Sequence, residues 1–296
     1  MSKPVFRKKG FFQRFVDDSN VRLPDNKYIF FPMLLTAVAA VLFGVIGWWV
    51  TGSETIAVVS ALIMSQFSLA SAIFQIYRST RRDLEDQQRK LQANFWLQQK
   101  LPLRRPLPYM TGWAATPELA LELHERIVQG RPGRIVELGS GITTLICAYT
   151  LEQEGIDGQV ISFDHDEPYA RQTRRQLAEH GLTHLAEVRS APLSRWDDGP
   201  EADTWYDRAP LKGLADVDLL IVDGPPVREG RLTRYPALPM LAGTLSERAV
   251  VVLHDTRREE ETETVRRWLR EFPGMRAETR WTEKGITVLW KKTSGA

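Results

Sequence analysis

The apolar positions follow two different periods along the chain. Residues 29–50 read IFFPMLLTAVAAVLFGVIGWWV, 22 positions without a charge, which at a rise of ~1.5 Å per residue matches the roughly 30 Å hydrocarbon thickness of a bilayer. Trp48 and Trp49 close this run where indoles favour the headgroup layer. Pro32 falls in the first turn, where a missing N–H costs little. After a polar break at 51–54, a second uncharged run covers 55–76, diluted by Ser60, Ser65, Gln66, Ser68, Ser71 and Gln75. Small and hydroxylated residues suit close helix–helix packing in lipid. A cleaved signal peptide fits less well, since the lead of 28 residues is long and a second apolar run follows. The pattern predicts a transmembrane helix hairpin over 29–76.

Residues 77–101, YRSTRRDLEDQQRKLQANFWLQQKL, contain neither Gly nor Pro and carry Leu84, Leu91 and Phe95 at helical spacing, which predicts a helical stalk. The following LPLRRPLP breaks it, because each proline removes a donor and restricts its predecessor. Four regions result: a basic segment over 1–28, the hairpin over 29–76, a stalk and linker over 77–104, and a folded domain over 105–296. In that domain strand-like runs at 134–138, 159–163, 185–190, 217–222 and 248–253 alternate with helical patterns at 116–129, 142–153, 167–180, 235–246 and 258–271. Two more strands at 275–281 and 285–291 meet at Gly285, too tightly for a crossover helix, so they pair antiparallel. The expected fold is α/β, a doubly wound, seven-stranded, mainly parallel sheet of Rossmann-like form behind two membrane helices.

Charge changes this picture at one end only. Lys+Arg total 39 against 37 Asp+Glu, a balance that predicts no general affinity for nucleic acid. Residues 1–27, however, hold seven Lys/Arg against three Asp, and Arg78, Arg81, Arg82, Arg89 and Lys90 follow the second apolar run, while the connecting turn offers Glu54. By the positive-inside rule both outer flanks lie on the cytoplasmic side. The expected location is a membrane, such as a bacterial inner membrane, with the C-terminal domain in the cytoplasm. Cys147 is the sole cysteine, so an intrachain disulfide and a Cys-rich zinc site are excluded.

Candidate chemistry begins at RIVELGSGITT (134–144), where a buried strand enters a helix through Gly139, Ser140 and Gly141. The GK[ST] ending of a phosphate loop is absent, and Thr144 stands where a dinucleotide fingerprint needs a third glycine. Glu137 would repel a pyrophosphate and suits a ligand with a cationic amino group. About 25 residues on, QVISFDHDEPYA ends a second strand in Asp164, the place where an acid accepts hydrogen bonds from ribose hydroxyls. Asp166 competes with Asp164 for the capping of the next helix.

VELGSGITT, ISFDHDEPY, SAPL (190–193) and DLLIVDGPP resemble the successive motifs of class I S-adenosylmethionine-dependent methyltransferases, small O-methyltransferases in particular, over about residues 108–296. The resemblance implies S-adenosylmethionine as cofactor. It implies Glu137, Gly139, Ser140 and Gly141 beside the methionine part, Asp164 and His165 at the ribose, and Ser190 and Ala191 at the adenine. Trp113, in GWAATPELALEL, is implied near the cofactor entrance.

Catalytic candidates stand at the strand ends in DGPP and HDT: Asp223, His254 and Asp255. Three readings remain open. The three groups could hold a divalent ion that lowers an acceptor hydroxyl's pKa. His254 or Asp223 could serve as general base. Or His254 and Asp255 could cap the following helix. Against the metal reading, a histidine takes the first of the paired fifth-strand positions, where metal-dependent relatives carry aspartate, and the lysine those relatives carry near DGPP is missing. Arg228, Arg231 and Arg234 form a basic run that is either solvated surface or a site for an anionic acceptor group. TRREEETETVRRWLRE (256–271) sets acids before arginines, as a helix dipole favours. The function expected is membrane-anchored methylation of an oxygen on a small or membrane-associated acceptor. The alternatives are a nonenzymatic nucleoside-binding sensor or scaffold in the membrane, and a nicotinamide-dependent oxidoreductase.

Overall fold

The computed structural model describes residues 26–110, 114–199 and 202–292. The chain divides into two compact units, Met1–Glu85 and Asp86–Ala296. In the first, helix α1 (Asn26–Thr51) is followed after residues 52–53 by helix α2 (Glu54–Lys100). Gly52 makes the turn in the left-handed region, φ +65°, which glycine adopts without steric cost. A Cβ at Gly44 would meet the Ala57 carbonyl at 3.4 Å, and one at Gly47 would meet Ser60 Oγ at 3.6 Å. Small residues thus let the two helices approach closely. Large apolar side chains, among them Phe43, Trp49, Leu62, Ile63 and Phe67, are more than half exposed. Among the described residues one helix, α2, is long and apolar enough to cross a membrane, and Ala37–Thr51 forms a shorter apolar stretch. Residues 1–25 of the expected basic segment lie outside the described residues.

The expected stalk is not a separate element: α2 runs unbroken from the second apolar run to Lys100. The C-terminal unit begins at Asp86. The reason is burial, since Leu97 and Leu101 pack in one core with Leu119, Leu123 and Ile127.

That unit is built on strands β1 (Arg134–Leu138), β2 (Gln159–Asp164), β3 (Ala186–Ser190), β6 (Val217–Val222), β7 (Leu245–His254), β8 (Met275–Arg280) and β9 (Ile286–Lys291). They form one seven-stranded sheet in the order β3-β2-β1-β6-β7-β9-β8. The first five run parallel, and β9 is antiparallel to both β7 and β8, as the tight Gly285 connection predicts. Alternating side chains serve two cores. Ile135, Leu219, Ile221 and Val252 face helices α3 (Pro117–Gly130), α4 (Ile142–Gln153) and α5 (Glu167–Glu179). Val136, Leu138, Leu220, Val222 and Leu253 face α6 (Ala237–Leu241) and α7 (Glu259–Glu271). Parallel strands covered on both faces need such continuous apolar runs.

Two segments depart from expectation. The helical pattern over 235–246 yields only the five-residue α6 and a short 3-10 turn, because Pro239 inside it removes a donor. Residues between β3 and β6 form an unanticipated antiparallel pair, β4 (Leu193–Arg195) and β5 (Thr204–Tyr206), whose three-residue strands are too short to register as alternation. From β1 the sheet extends one way to β2 and the other way to β6. This switch opens a crevice at the carboxyl ends of β1 and β6.

Candidate active site

The β1–α4 turn owes its shape to two glycines with φ of +113° (Gly139) and +143° (Gly141), a region where a side chain is strained. A Cβ on Gly139 would lie 3.5 Å from the Asp223 carbonyl, whereas one on Gly141 would meet nothing within 4 Å. The first glycine lets β1 and β6 converge and the second borders open space. Ser140 Oγ donates to Asp164 Oδ2 at 2.5 Å and lies 3.1 Å from Thr173 Oγ1. Asp164 Oδ1 accepts from the Asp166 N–H at 3.0 Å, and Asp166 itself caps α5 by accepting from Tyr169 N–H. The capping duty therefore falls to Asp166, and Asp164 is left at the cleft. Burial raises the Asp164 carboxyl from its ordinary value, with Ser140 and the Asp166 N–H pulling the other way.

Glu137 borders the cleft, and its carboxyl is wholly buried. Thr143, Thr144 (2.6 Å) and Ser162 (2.5 Å) donate to its two oxygens. Burial pushes this carboxyl up to about 7 against the pull of those hydroxyls.

At the other side of the switch point Asp223, His254 and Asp255 come together, with ligand atoms within 4.8 Å of one another. His254 Nδ1 and Asp223 Oδ1 are 2.8 Å apart. His254 is 1 % exposed and is not part of the cleft wall, so it stands behind Asp223. Neither His254 nor Asp255 caps α7 with its side chain: that helix has Arg258 as N-cap without a side-chain cap bond, and Glu259, Glu260 and Glu261 in its first turn. Asp255 adopts φ +62°, a left-handed conformation held by its setting.

Two residues of this region escaped the sequence reading. Arg234, read there with its neighbours as either solvated surface or a site for an anionic acceptor group, is buried. Its Nη2 lies 2.8 Å from Asp255 Oδ2 and 3.4 Å from Asp223 Oδ1, and Nη1 donates to the His254 carbonyl at 2.9 Å. Burial acts to raise the Asp223 carboxyl, but His254, Arg234 and Lys284 outweigh it and hold the group below its ordinary value. The second is Tyr206 at the end of β5, a fully buried ring whose hydroxyl has no hydrogen-bond partner among the described residues. A Cβ on Gly224 would come 2.5 Å from that hydroxyl, so the glycine makes room for it. Burial lifts the phenol well above its ordinary value, leaving a protonated donor.

All of this surrounds one cleft of about 420 Å³, lined by Gly139, Ser140, Gly141, Asp164, His165, Tyr206, Asp223 and Asp255 together with Thr173 and Gln176 of α5. Ser190 and Ala191 are not in its wall. The Ser190 hydroxyl is held outside by Glu167 and Arg174, and Ala191 is buried in the second core. Arg228 and Arg234 line the cleft and Arg231 does not. Trp113 lies outside the described residues.

Residues 136–256 match the family model described as a methyltransferase domain. The match starts in β1 and ends just beyond Asp255, so the matched segment holds both glycines of the turn, Asp164, Tyr206, Asp223, Arg234 and His254. Solved structures similar to the chain include a methyltransferase from Podospora anserina bound to S-adenosylhomocysteine, at 13% identity and TM-score 0.49, covering 73% of this chain and 96% of its own. An O-methyltransferase from Bacillus cereus in complex with S-adenosylhomocysteine follows at 15% identity and TM-score 0.46, covering 69% and 90%. Another, from Streptomyces achromogenes, involved in tomaymycin synthesis and solved with S-adenosylmethionine, shows 17% identity and TM-score 0.45, covering 61% and 82%. No curated protein matches.

Proposed function

We propose that the chain is an S-adenosylmethionine-dependent methyltransferase, anchored in a membrane by α1 and the apolar part of α2, that methylates an oxygen on a small or membrane-associated acceptor. One observation carries this reading: the Gly139–Gly141 turn, without a lysine or arginine, and the carboxyl of Asp164 meet in one cleft at the ends of adjacent parallel strands. A sulfonium cation joined to a nucleoside and an amino acid, without phosphate, fits that donor set. The cleft volume is also ordinary for a small-molecule site, ~300–1,000 Å³.

In this reading Asp164 accepts from the ribose hydroxyls, and the glycine turn gives the ligand access to backbone. When bound, the cofactor supplies an electrophilic methyl group on sulfur. Asp223, at the cleft and backed by His254, takes the acceptor's hydroxyl hydrogen bond and its proton as the oxygen becomes methylated. Because the Asp223 carboxyl is held low, it is a weak base, so alignment of acceptor and donor carries most of the rate. Exposed apolar side chains on α1 and α2 support the anchor, and the basic flanks support a cytoplasmic C-terminal domain.

The test is a screen of hydroxylated acceptors for S-adenosylhomocysteine release by the full-length chain, alongside calorimetric competition between S-adenosylmethionine and a nicotinamide dinucleotide. Tight binding of the dinucleotide instead would sink the reading. Cofactor binding with no turnover on any acceptor would favour a sensor or scaffold. Carbonate extraction and terminal reporter fusions test the anchor, and a C-terminus outside the cytoplasm would overturn the topology.

A further inference from the structure

We infer that Arg234 is the resident cation of the Asp223–His254–Asp255 cluster and that this cluster does not take a divalent ion. The functional weight of the inference rests on the methyl-transfer reading of the cleft. By spacing alone the three residues would suit an ion, since their ligand atoms lie within 4.8 Å of one another. The chemistry around them does not fit one.

The guanidinium of Arg234 already lies between the two carboxylates, 2.8 Å from Asp255 Oδ2 and 3.4 Å from Asp223 Oδ1. Its other bonds fix it there: Nη1 to the His254 carbonyl at 2.9 Å, Nη2 to the Asp223 carbonyl at 3.2 Å, and Nε to the Pro225 carbonyl at 3.4 Å. An ion on Asp255 Oδ2, at the roughly 2.1 Å that Mg²⁺ takes, would stand within about 5 Å of that nitrogen. The guanidinium gives up no proton to relieve the repulsion. A second guanidinium, Arg258, lies 2.9 Å from the same Asp255 oxygen. Arg234 and Arg258 therefore already supply counter-charge to Asp223, Asp255 and Glu261. His254 has its Nδ1 engaged with Asp223 at 2.8 Å, while its Nε2 and Asp255 Oδ1 have no hydrogen-bond partner among the described residues, so it is the two guanidiniums that oppose an ion here. Arg234 thus does what an ion would do for charge, and it also ties the ends of β6 and β7 together. It acts through Asp223 and Asp255 and is a positioning residue.

The experiment titrates Mn²⁺ into the purified full-length chain in mild detergent, following the free-ion EPR signal. Cofactor binding is measured by calorimetry with and without EDTA. Wild type is expected to leave the Mn²⁺ signal unchanged and to bind cofactor equally with chelator. Folded Arg234→Met, which leaves Asp223, Asp255 and Glu261 short of one counter-charge, should bind Mn²⁺ at least about ten-fold more tightly than wild type. Binding of Mn²⁺ by wild type that disappears in Asp255→Asn overturns the inference, and this arm stands even if Arg234→Met does not fold. A folded Arg234→Met that still ignores Mn²⁺ also overturns it, since Arg234 would then not be standing in an ion's place. Absence of cofactor binding in wild type would sink the methyltransferase reading while leaving the metal result intact.

Discussion

The ends of β1 and β2 and the ends of β6 and β7 border one cleft, yet their acids are treated in opposite ways. At β1–β2, Glu137 and Asp164 are surrounded by hydroxyls and backbone N–H groups, and burial raises both carboxyls. At β6–β7, the Asp223 carboxyl is held low, because His254, Arg234 and Lys284 overcome the same burial. The first half is left short of positive charge and the second supplies its own. On the proposed reading a cationic ligand therefore gains most at β1–β2, and β6–β7 takes the acceptor.

The comparison breaks most visibly at Arg234. Arg234→Met leaves Asp223, Asp255 and Glu261 short of one buried counter-charge and should destabilise the C-terminal unit by about 3–5 kcal/mol in denaturant unfolding; a change under about 1 kcal/mol would mean the charges are not mutually balanced.

Glu137 provides the next largest effect. Its folded carboxyl titrates at about 7 against an ordinary 4.5. The contribution to stability is therefore complete below about pH 4.5 and lost as pH rises through about 7, by roughly 3 kcal/mol. Unfolding of wild type and Glu137→Gln across about pH 4.5–8 checks this: the wild-type curve should fall relative to the variant's, and parallel curves would contradict it.

Asp223→Asn should slow transfer to any acceptor found by about 100-fold, with cofactor affinity within about three-fold of wild type, a change below ~1 kcal/mol. Equal loss of rate and affinity would erase the division between the halves. The smallest effect belongs to Tyr206→Phe. Since its hydroxyl has no protein partner among the described residues, stability should change by less than about 1 kcal/mol, and cofactor or acceptor binding should weaken by no more than about ten-fold. Unchanged binding of both would show that the phenol contacts neither.

The two halves also differ in how far sequence reveals them. Strand β1, helix α4 and strand β6 begin and end where their patterns predict, because apolar runs bounded by glycine or aspartate carry their own limits. The glycine turn and Asp164 are legible for the same local reason. The direction of the Ser190 side chain is not, since it depends on Glu167 and Arg174 of α5. Arg234 reads with Arg228 and Arg231 as either solvated surface or an anion site, and only the carbonyls and carboxylates at the ends of β6 and β7 hold it inward. Tyr206 arrives on a hairpin whose strands are three residues long, below the length at which alternation is a signal.

Calorimetric titration of the full-length chain and its Asp164→Ala variant with S-adenosylmethionine tests the division of labour most directly. Loss of one charge-assisted hydrogen-bond acceptor at β2 should weaken binding by about 10–100-fold, or roughly 1.5–3 kcal/mol. Equal affinity in a folded Asp164→Ala chain would contradict the assignment of β1–β2 as the cofactor half.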